Sequence, residues 1–308
     1  MPSLSLQVTR LFMRGLERVA PTLSGRVAFA LFCRTPSRKP KGVKAVRAFA
    51  AGRRALASAR RVQLPIASGT VGLHVLEANP EGAAPPRVLI VHGWGSRAEY
   101  LAELALNLNA AGAEVVILDL PGHGASSGRR LDLHVATEAI VAADRHFGGF
   151  DGVVGHSFGG ASVMMALGGV FNGVARLRTR RVVVIGSPSN LNDVIVGFAK
   201  VVGVGERSLA SMGERVFKLV GKRLEDLDAV TVAQQEQTPL LVVHAEDDKE
   251  VSPQHAHRYA GASPHVRHLW ANGHGHRRIV SAAEVIEAVK TFLLTPEWSS
   301  NSAAGGRL

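Results

Sequence analysis

Short apolar runs recur along most of the chain, separated by stretches long enough to form helices. The runs are rich in β-branched residues without polar alternation, at residues 87–94, 113–122, 151–157, 181–188 and 239–248. Such runs are typical of parallel strands covered on both faces. Helix-length stretches occur at 97–111, 133–146, 160–170, 253–260 and 281–294. This alternation predicts an α/β fold, with a mostly parallel central sheet and helices on both faces.

Two segments depart from that pattern. Residues 71–77 alternate between polar and apolar side chains, which predicts an exposed strand. Residues 189–238 separate two strands by fifty positions, whereas a plain crossover needs about a dozen. They contain amphipathic pieces joined by glycines, so an inserted helical cap is predicted there. The core is then predicted at 62–188 and 239–296, and the polar, small-residue tail 297–308 is predicted to be disordered.

Charge is distributed unevenly along the chain. Residues 1–61 contain fourteen Lys or Arg and one acid, Glu17, for a net +13, while the remaining residues sum to −2. This basic arm is predicted to be partly helical. Between residues 4 and 20 it carries apolar residues at helical spacing, with Arg10, Arg14 and Arg18 elsewhere on the turn. The apolar set is Leu4, Val8, Leu11, Phe12, Gly15 and Val19.

A basic amphipathic helix of this kind has two interpretations. The favoured one is a helix that packs its apolar side on the main domain. The alternative is peripheral attachment to an anionic membrane surface through buried apolar area and basic side chains. Nucleic acid is not expected as a partner, because aromatic residues that could stack on bases are sparse in the arm.

Composition narrows the class of protein further. A single cysteine, Cys33, and an apolar content of 46% indicate a soluble globular protein of a reducing compartment, so the cytoplasm is expected. No nucleotide-binding glycine pattern follows a strand, and no cofactor is expected. The histidine pairs at i and i+2 lack supporting cysteine or glutamate, so no metal site is expected. The oligomeric state is not indicated.

One serine is flanked by glycines two residues before and after it, in VVGHSFGGAS at 153–162. An apolar strand leads into Ser157, and a small-residue helix leads out. A serine at such a sharp strand-to-helix turn adopts a positive φ, and side chains at Gly155 and Gly159 would collide with the neighbouring strand and helix. The turn lifts the hydroxyl above the carboxyl end of the strand, where open α/β sheets bind ligands.

With this GHSFG motif, residues 62–294 resemble the α/β-hydrolase family. VHGWGS at 91–96 looks like the oxyanion loop of that family, and the resemblance implies backbone N–H donors at Trp94 and at Phe158. DLPGHGAS at 119–126 is similar to the turn after the next strand. There we expect Asp119 and His123 to have structural or pocket-wall roles.

The family order of serine, acid and histidine leaves a choice at both later positions. In HAEDDKEVSP, an acid three residues before a valine and close to a proline selects Asp248, with Asp247 as the alternative and Asp193 as an outside option. In WANGHGHRRI, the spacing to the last helix and the GHRR ending favour His276 over His274. Adjacent residues of an extended segment point in opposite directions, so only one of Asp247 and Asp248 can face the imidazole.

These residues predict a serine hydrolase that cleaves a carboxylic ester or related acyl bond of a small molecule through an acyl-enzyme. The residues between Ser189 and Thr238 are expected to limit substrate size and access. The alternatives are an acyltransferase, or an inactive binding protein of the same fold, held at a membrane by its basic arm. The natural acyl group cannot be read from the motifs.

Overall fold

The central element is one eight-stranded sheet with the strand order β1-β2-β4-β3-β5-β6-β7-β8. The computed structural model describes residues 4–78 and 84–295, so the predicted disordered tail lies outside the described residues. The strands are β1 Arg60–Ile66, β2 Gly69–Leu76, β3 Arg87–Val91, β4 Glu114–Leu118, β5 Gly152–His156, β6 Arg181–Ile185, β7 Leu240–His244 and β8 Val266–Trp270.

The strands β3 to β8 all run parallel to one another. In contrast, β2 is antiparallel to both of its neighbours in the sheet, β1 and β4. The helices are α1 Leu4–Val19, α2 Pro21–Phe32, α3 Val43–Ala55, α4 Ala102–Ala110, α5 Leu133–Phe147, α6 Phe158–Gly168, α7 Leu191–Val202, α8 Glu206–Val220, α9 Ala229–Gln235, α10 Gln254–His257, α11 Gly275–Arg278 and α12 Ala283–Leu294. The predicted α/β class and its mostly parallel sheet are confirmed.

Two apolar clusters cover the two faces of the sheet. One joins the buried sides of α5, α6 and α9, and the other joins those of α4 and α12. Alternate side chains of the inner strands enter opposite clusters: Val153 lies in the first and Val154 in the second. Burial on both faces explains why these strands are continuously apolar.

The prediction of an exposed strand at 71–77 is wrong. Every residue of β2 from Val71 to Leu76 is buried, because β2 lies between β1 and β4 and helices cover both faces. The edge strands β1 and β8 were not predicted from the hydrophobic pattern. They carry polar, exposed side chains such as Gln63 and His268. Arg60 and Arg61, counted with the basic arm, belong to β1.

Three helices, α7, α8 and α9, occupy the long interval between β6 and β7. Helix α2 of the arm packs against α8, and Gly25 permits the close approach: a Cβ there would lie 2.5 Å from the carbonyl oxygen of Ser208. Helix α9 packs on α6 instead. Helices α1 and α2 of the arm therefore form one helical layer with α7 and α8.

Helix α1 is the amphipathic helix that the sequence predicted, but its orientation differs. Leu4, Leu11 and Val19 are 77%, 76% and 87% exposed, while Met13, on the other side of the helix, is fully buried. The expectation that α1 packs its apolar stripe on the domain is wrong. The helix is held by its opposite side, against α2 and α7.

Candidate active site

Ser157 occupies a sharp turn between β5 and α6. Its φ is +53°, in the left-handed region, and no other described residue except glycine has a positive φ. A Cβ on Gly155 would lie 2.5 Å from the Cα of Gly160, and one on Gly159 would lie 2.4 Å from the carbonyl oxygen of Val91. Only glycine fits at both positions, which is the physical reason for the GHSFG spacing.

Three side chains from distant parts of the chain meet at this turn. The Oγ of Ser157 lies 3.0 Å from Nε2 of His276, and Nδ1 of His276 lies 2.8 Å from Oδ2 of Asp248. Ser157 follows β5, Asp248 lies in the loop after β7, and His276 lies in α11 after β8. Parallel strands bring all three to the carboxyl edge of the sheet.

The Asp248 carboxylate is buried and fully engaged. Its Oδ1 accepts hydrogen bonds from the backbone N–H groups of Glu250 (2.8 Å) and Val251 (2.9 Å), and its Oδ2 faces His276. Burial acts to raise the pKa of Asp248, but the hydrogen bonds from His276, Val251 and Glu250 outweigh it, and the pKa is lowered. The carboxylate is therefore ionised beside the imidazole at neutral pH.

The alternative acids and the alternative histidine point elsewhere. Oδ1 of Asp247 accepts from the N–H of Gly273 at 2.9 Å, and Asp193 pairs with Asn190 in the first turn of α7. Nε2 of His274 lies 2.6 Å from Oε1 of Glu284 at the surface. The structure brings Asp248 and His276 to Ser157 and leaves these three residues outside the cluster.

The loop that contains Trp94 runs directly beside Ser157. A Cβ on Gly93 would lie 2.7 Å from the Cβ of Ser157, so only glycine lets the backbone pass so close. On the other side, Phe158 is the first residue of α6. The first N–H groups of a helix have no intrahelical acceptor, and the helix dipole favours negative charge there. Backbone donors can therefore approach Ser157 from both sides.

Two buried histidines and an aspartate hold this loop in place. His123 accepts from the N–H of Gly95 at 2.9 Å, and His92 accepts from the N–H of Leu120 at 2.9 Å. Asp119 accepts from the N–H groups of Ala98 (2.9 Å) and Ala125 (2.8 Å). Burial lowers the pKa of His123 to about 3, so this ring is neutral and can accept.

The sequence reading missed two histidines that pack around the cluster. Nε2 of His156 donates to the carbonyl oxygen of His276 at 2.9 Å, and the two rings are 4.9 Å apart. His244 lies behind Asp248, its Nε2 3.6 Å from Oδ2. Burial, followed by the charge of His276, lowers the pKa of His156 to about 4. A signal existed: each histidine ends a buried strand.

Aromatic rings border the turn on the side of the arm. The ring of Trp94 lies 5.6 Å from that of Phe158 and 6.4 Å from that of Phe32, the last residue of α2. Phe32 in turn meets Phe198 of α7 at 5.2 Å. An apolar wall therefore joins the sheet edge, the arm and the helices between β6 and β7. Among residues 4–78 and 84–295, no three His, Cys, Asp or Glu side chains form a group suited to a metal ion.

Known proteins share this architecture. Two solved structures similar to this chain are Est1E from Butyrivibrio proteoclasticus (16% identity, TM-score 0.59, covering 76% of this chain and 97% of that one) and a membrane phospholipase A, a bacterial virulence factor (15%, 0.58, 80% and 91%). At such identities the likeness shows the fold alone.

Sequence comparisons agree with the fold. A monoacylglycerol lipase of Mycolicibacterium smegmatis is 29% identical over 135 residues, which are 41% of this chain and 46% of that protein. The chain thus matches less than half the length of this curated relative. The family model described as the alpha/beta hydrolase family matches residues 88–288, which is more than half of the chain. The chain belongs to the alpha/beta hydrolase family.

Proposed function

We propose that this protein is a serine hydrolase that cleaves a carboxylic ester, or a related acyl bond, through an acyl-enzyme. The observation that carries the proposal is the hydrogen-bonded chain from Ser157 through His276 to Asp248. Its fold relatives include esterases and lipases, and its curated relative is named a monoacylglycerol lipase. Those names support acyl chemistry as the class of reaction.

In the proposed reaction, Ser157 is the nucleophile and His276 moves the proton. Neutral His276 carries its proton on Nδ1, facing Asp248, and its Nε2 takes the proton of the Ser157 hydroxyl as Oγ attacks the substrate carbonyl carbon. Asp248 fixes this tautomer and stabilises the imidazolium that forms. His276 then donates the proton to the departing alcohol, which leaves an ester between the acyl group and Ser157.

Water then hydrolyses the acyl-enzyme by the same kind of proton transfer. His276 accepts a proton from the attacking water, and Oγ of Ser157 is the leaving group that recovers it. In both tetrahedral intermediates, we propose that the backbone N–H groups of Trp94 and Phe158 receive the negative oxygen. The loss of one such donor costs about 10² to 10³ in kcat in comparable enzymes.

The aromatic wall favours an uncharged substrate with an apolar part. Phe32, Trp94 and Phe198 offer ring faces but no charge beside the proposed nucleophile, so an ionic acyl group would lose its hydration there without a partner. We also propose that residues 189–238 act as a cap, because α7 supplies Phe198 to this wall. Residues 1–61 supply Phe32 to the same wall.

A covalent probe and a soluble ester test the proposal together. A fluorophosphonate probe should label the full-length protein, and a short p-nitrophenyl ester should be hydrolysed. Ser157→Ala should abolish both, with an unchanged circular dichroism spectrum. The matched control is Ser162→Ala, one turn along α6, whose hydroxyl only bonds the carbonyl oxygen of Phe158. It should keep both activities.

The alternatives give different results in the same assay. A folded protein that neither labels nor hydrolyses any ester in a chain-length series would contradict the proposal and favour an inactive binding protein. Labelling at Ser157, with transfer of the acyl group to an added alcohol in preference to water, would favour an acyltransferase. Product analysis by mass spectrometry separates these outcomes.

A further inference from the structure

The outer side of α1 is an apolar stripe that faces solvent. Leu4, Val8, Leu11, Phe12 and Val19 are 77%, 61%, 76%, 60% and 87% exposed. At 3.6 residues per turn, the five side chains lie within roughly 100° of one another around the helix axis. Scattered apolar residues are normal on protein surfaces, but a contiguous apolar patch marks an interaction site.

Basic side chains border this stripe. Arg14 and Arg18 are exposed and lie on the adjoining edge of the helix, next to Leu11 on the helical wheel. Further round, Nε of Arg10 donates to the carbonyl oxygen of Val201 at 2.6 Å. Val201 itself is 47% exposed, and it lies beyond these arginines, on the end of α7.

A cationic groove begins where α1 ends. There, the hydroxyl of Ser208 in α8 bonds Glu17 and the carbonyl oxygen of Pro21. From this point, a groove of about 300 Å³ runs between α2 and α8. Its charged lining residues are Arg26, Arg207, Arg215 and Lys218 against one acid, Glu214. The groove therefore carries a net positive charge.

We propose that the exposed stripe of α1 docks this protein on an anionic lipid bilayer. In this arrangement the apolar side chains of α1 enter the acyl region, while Arg14 and Arg18 stay at the level of the headgroup phosphates. The charge asymmetry supports an anionic partner, since residues 1–61 carry a net +13 and the rest of the chain −2.

A bilayer suits this face better than a second copy of the chain. Two copies joined through α1 would bring the Arg14 and Arg18 side chains of both molecules together, and the like charges would repel. Among the described residues, no helix is both long and apolar enough to cross a membrane. The proposed contact is accordingly a helix lying in the plane of the interface. It does not depend on chemistry at Ser157.

The test is sedimentation of the full chain with lipid vesicles. The protein carries Ser157→Ala, so that no lipid is consumed. We expect vesicles with about 30% phosphatidylglycerol to bind it at least about tenfold more strongly than pure phosphatidylcholine vesicles. Adding Leu11→Glu and Phe12→Glu should lower the partition coefficient by about tenfold or more.

The matched control is Val43→Glu with Val46→Glu in α3. This pair makes the same change in charge, and its side chains are comparably exposed, at 67% and 49%, but α3 packs against the turn after β3 instead of beside α1. We expect it to lower the partition coefficient less than about threefold. Equal losses in both variants would overturn the assignment to α1, because net charge alone would then explain binding.

Two further outcomes would also overturn the proposal. One is equal binding to both kinds of vesicle, or binding that Leu11→Glu with Phe12→Glu leaves unchanged. The other is a dimer, detected by light scattering without lipid, that this variant converts to monomer; a second copy would then cover the stripe. Hydrolysis of a water-soluble ester by the otherwise unaltered chain reports separately on the proposed function.

Discussion

The ring of Phe32, at the end of α2, lies 6.4 Å from the ring of Trp94 at an interplanar angle of 21°. Trp94 belongs to the loop beside Ser157, whereas Phe32 belongs to the basic arm, which was predicted as a segment separate from the α/β core. The contact places part of the arm in the wall of the candidate active site. The arm can therefore affect which substrates fit.

Phe32→Ala should impair the hydrolysis of long-chain esters selectively. Loss of the ring removes apolar contact from one end of an acyl chain, worth about 1–2 kcal/mol, or roughly tenfold in KM. We expect this rise in KM for an eight-carbon acyl ester and little change for the acetate. Steady-state kinetics over a chain-length series checks it.

Phe217→Ala serves as the control for this change. Phe217 lies in α8, is 46% exposed and contacts Arg223, so its removal should leave the chain-length profile unaltered. If Phe32→Ala lowered kcat/KM equally for short and long esters, the ring would support the fold near Ser157 and not the acyl chain.

Asp248→Asn should lower kcat by about 10³ to 10⁴ with little change in KM. An amide can donate to Nδ1 of His276 and so favours the tautomer that cannot accept a proton from Ser157. Asp247→Asn is the matched control, because Asp247 bonds only the backbone around Gly273, and it should retain most of its activity. The opposite result would assign the role of the acid to Asp247.

His276→Gln should abolish esterase activity and probe labelling, while His274→Gln should keep both. The reason is position: Nε2 of His276 lies 3.0 Å from Oγ of Ser157, whereas His274 pairs with Glu284 at the surface. Labelling of each variant by the fluorophosphonate probe, detected on a gel, measures this difference directly. Inactivity of His274→Gln in a well-folded sample would show that the surface pair matters for catalysis.

Gly159→Ala should destabilise the protein by about 1–3 kcal/mol, since the new methyl group would meet the backbone of Val91 at 2.4 Å. Gly197→Ala is a control of opposite sign. It lies inside α7 with no atom within 4 Å of the added methyl, so helix propensity should stabilise the protein by about 0.5–1 kcal/mol. Urea unfolding curves measure both changes.

The parallel strands and the turn at Ser157 could be predicted from the sequence, because each follows from a local rule. A strand covered on both faces is continuously apolar, and a turn with φ of +53° needs glycines around it. The choice of Asp248 over Asp247 came from the family resemblance, because local geometry says only that neighbours on an extended segment point in opposite directions.

The surroundings of the site could not be predicted because they depend on long-range packing. Nothing near Phe32 in sequence indicates its contacts with Trp94 and Phe198. Likewise, the periodicity of α1 shows that the helix has an apolar side but not which side the domain covers. Packing buries Met13 on the opposite side and so leaves the apolar stripe exposed.

Acid should unfold this protein through its buried histidines. Burial lowers the pKa of His156 to about 4 and that of His123 to about 3, from an ordinary value of 6.5. Because these folded-state pKa values lie below the unfolded value, the unfolded chain takes up protons first as the pH falls. The stability from the neutral rings is complete above pH 6.5 and is lost progressively toward pH 4 and then pH 3.

The two histidines together should lower the free energy of unfolding by about 3 kcal/mol between pH 6.5 and pH 5.

His123→Gln retains an acceptor for the N–H of Gly95 but does not titrate. It should therefore remove about half of this dependence of the unfolding free energy on pH, even if the variant is less stable at pH 7.5. His146→Gln is the control, because His146 is exposed, and it should leave the slope unchanged. Urea unfolding at a series of pH values measures all three proteins. A His123→Gln slope equal to that of the unaltered chain would mean that the ring at 123 is not kept neutral by burial, and the acceptor role assigned to it in holding the Trp94 loop would be wrong.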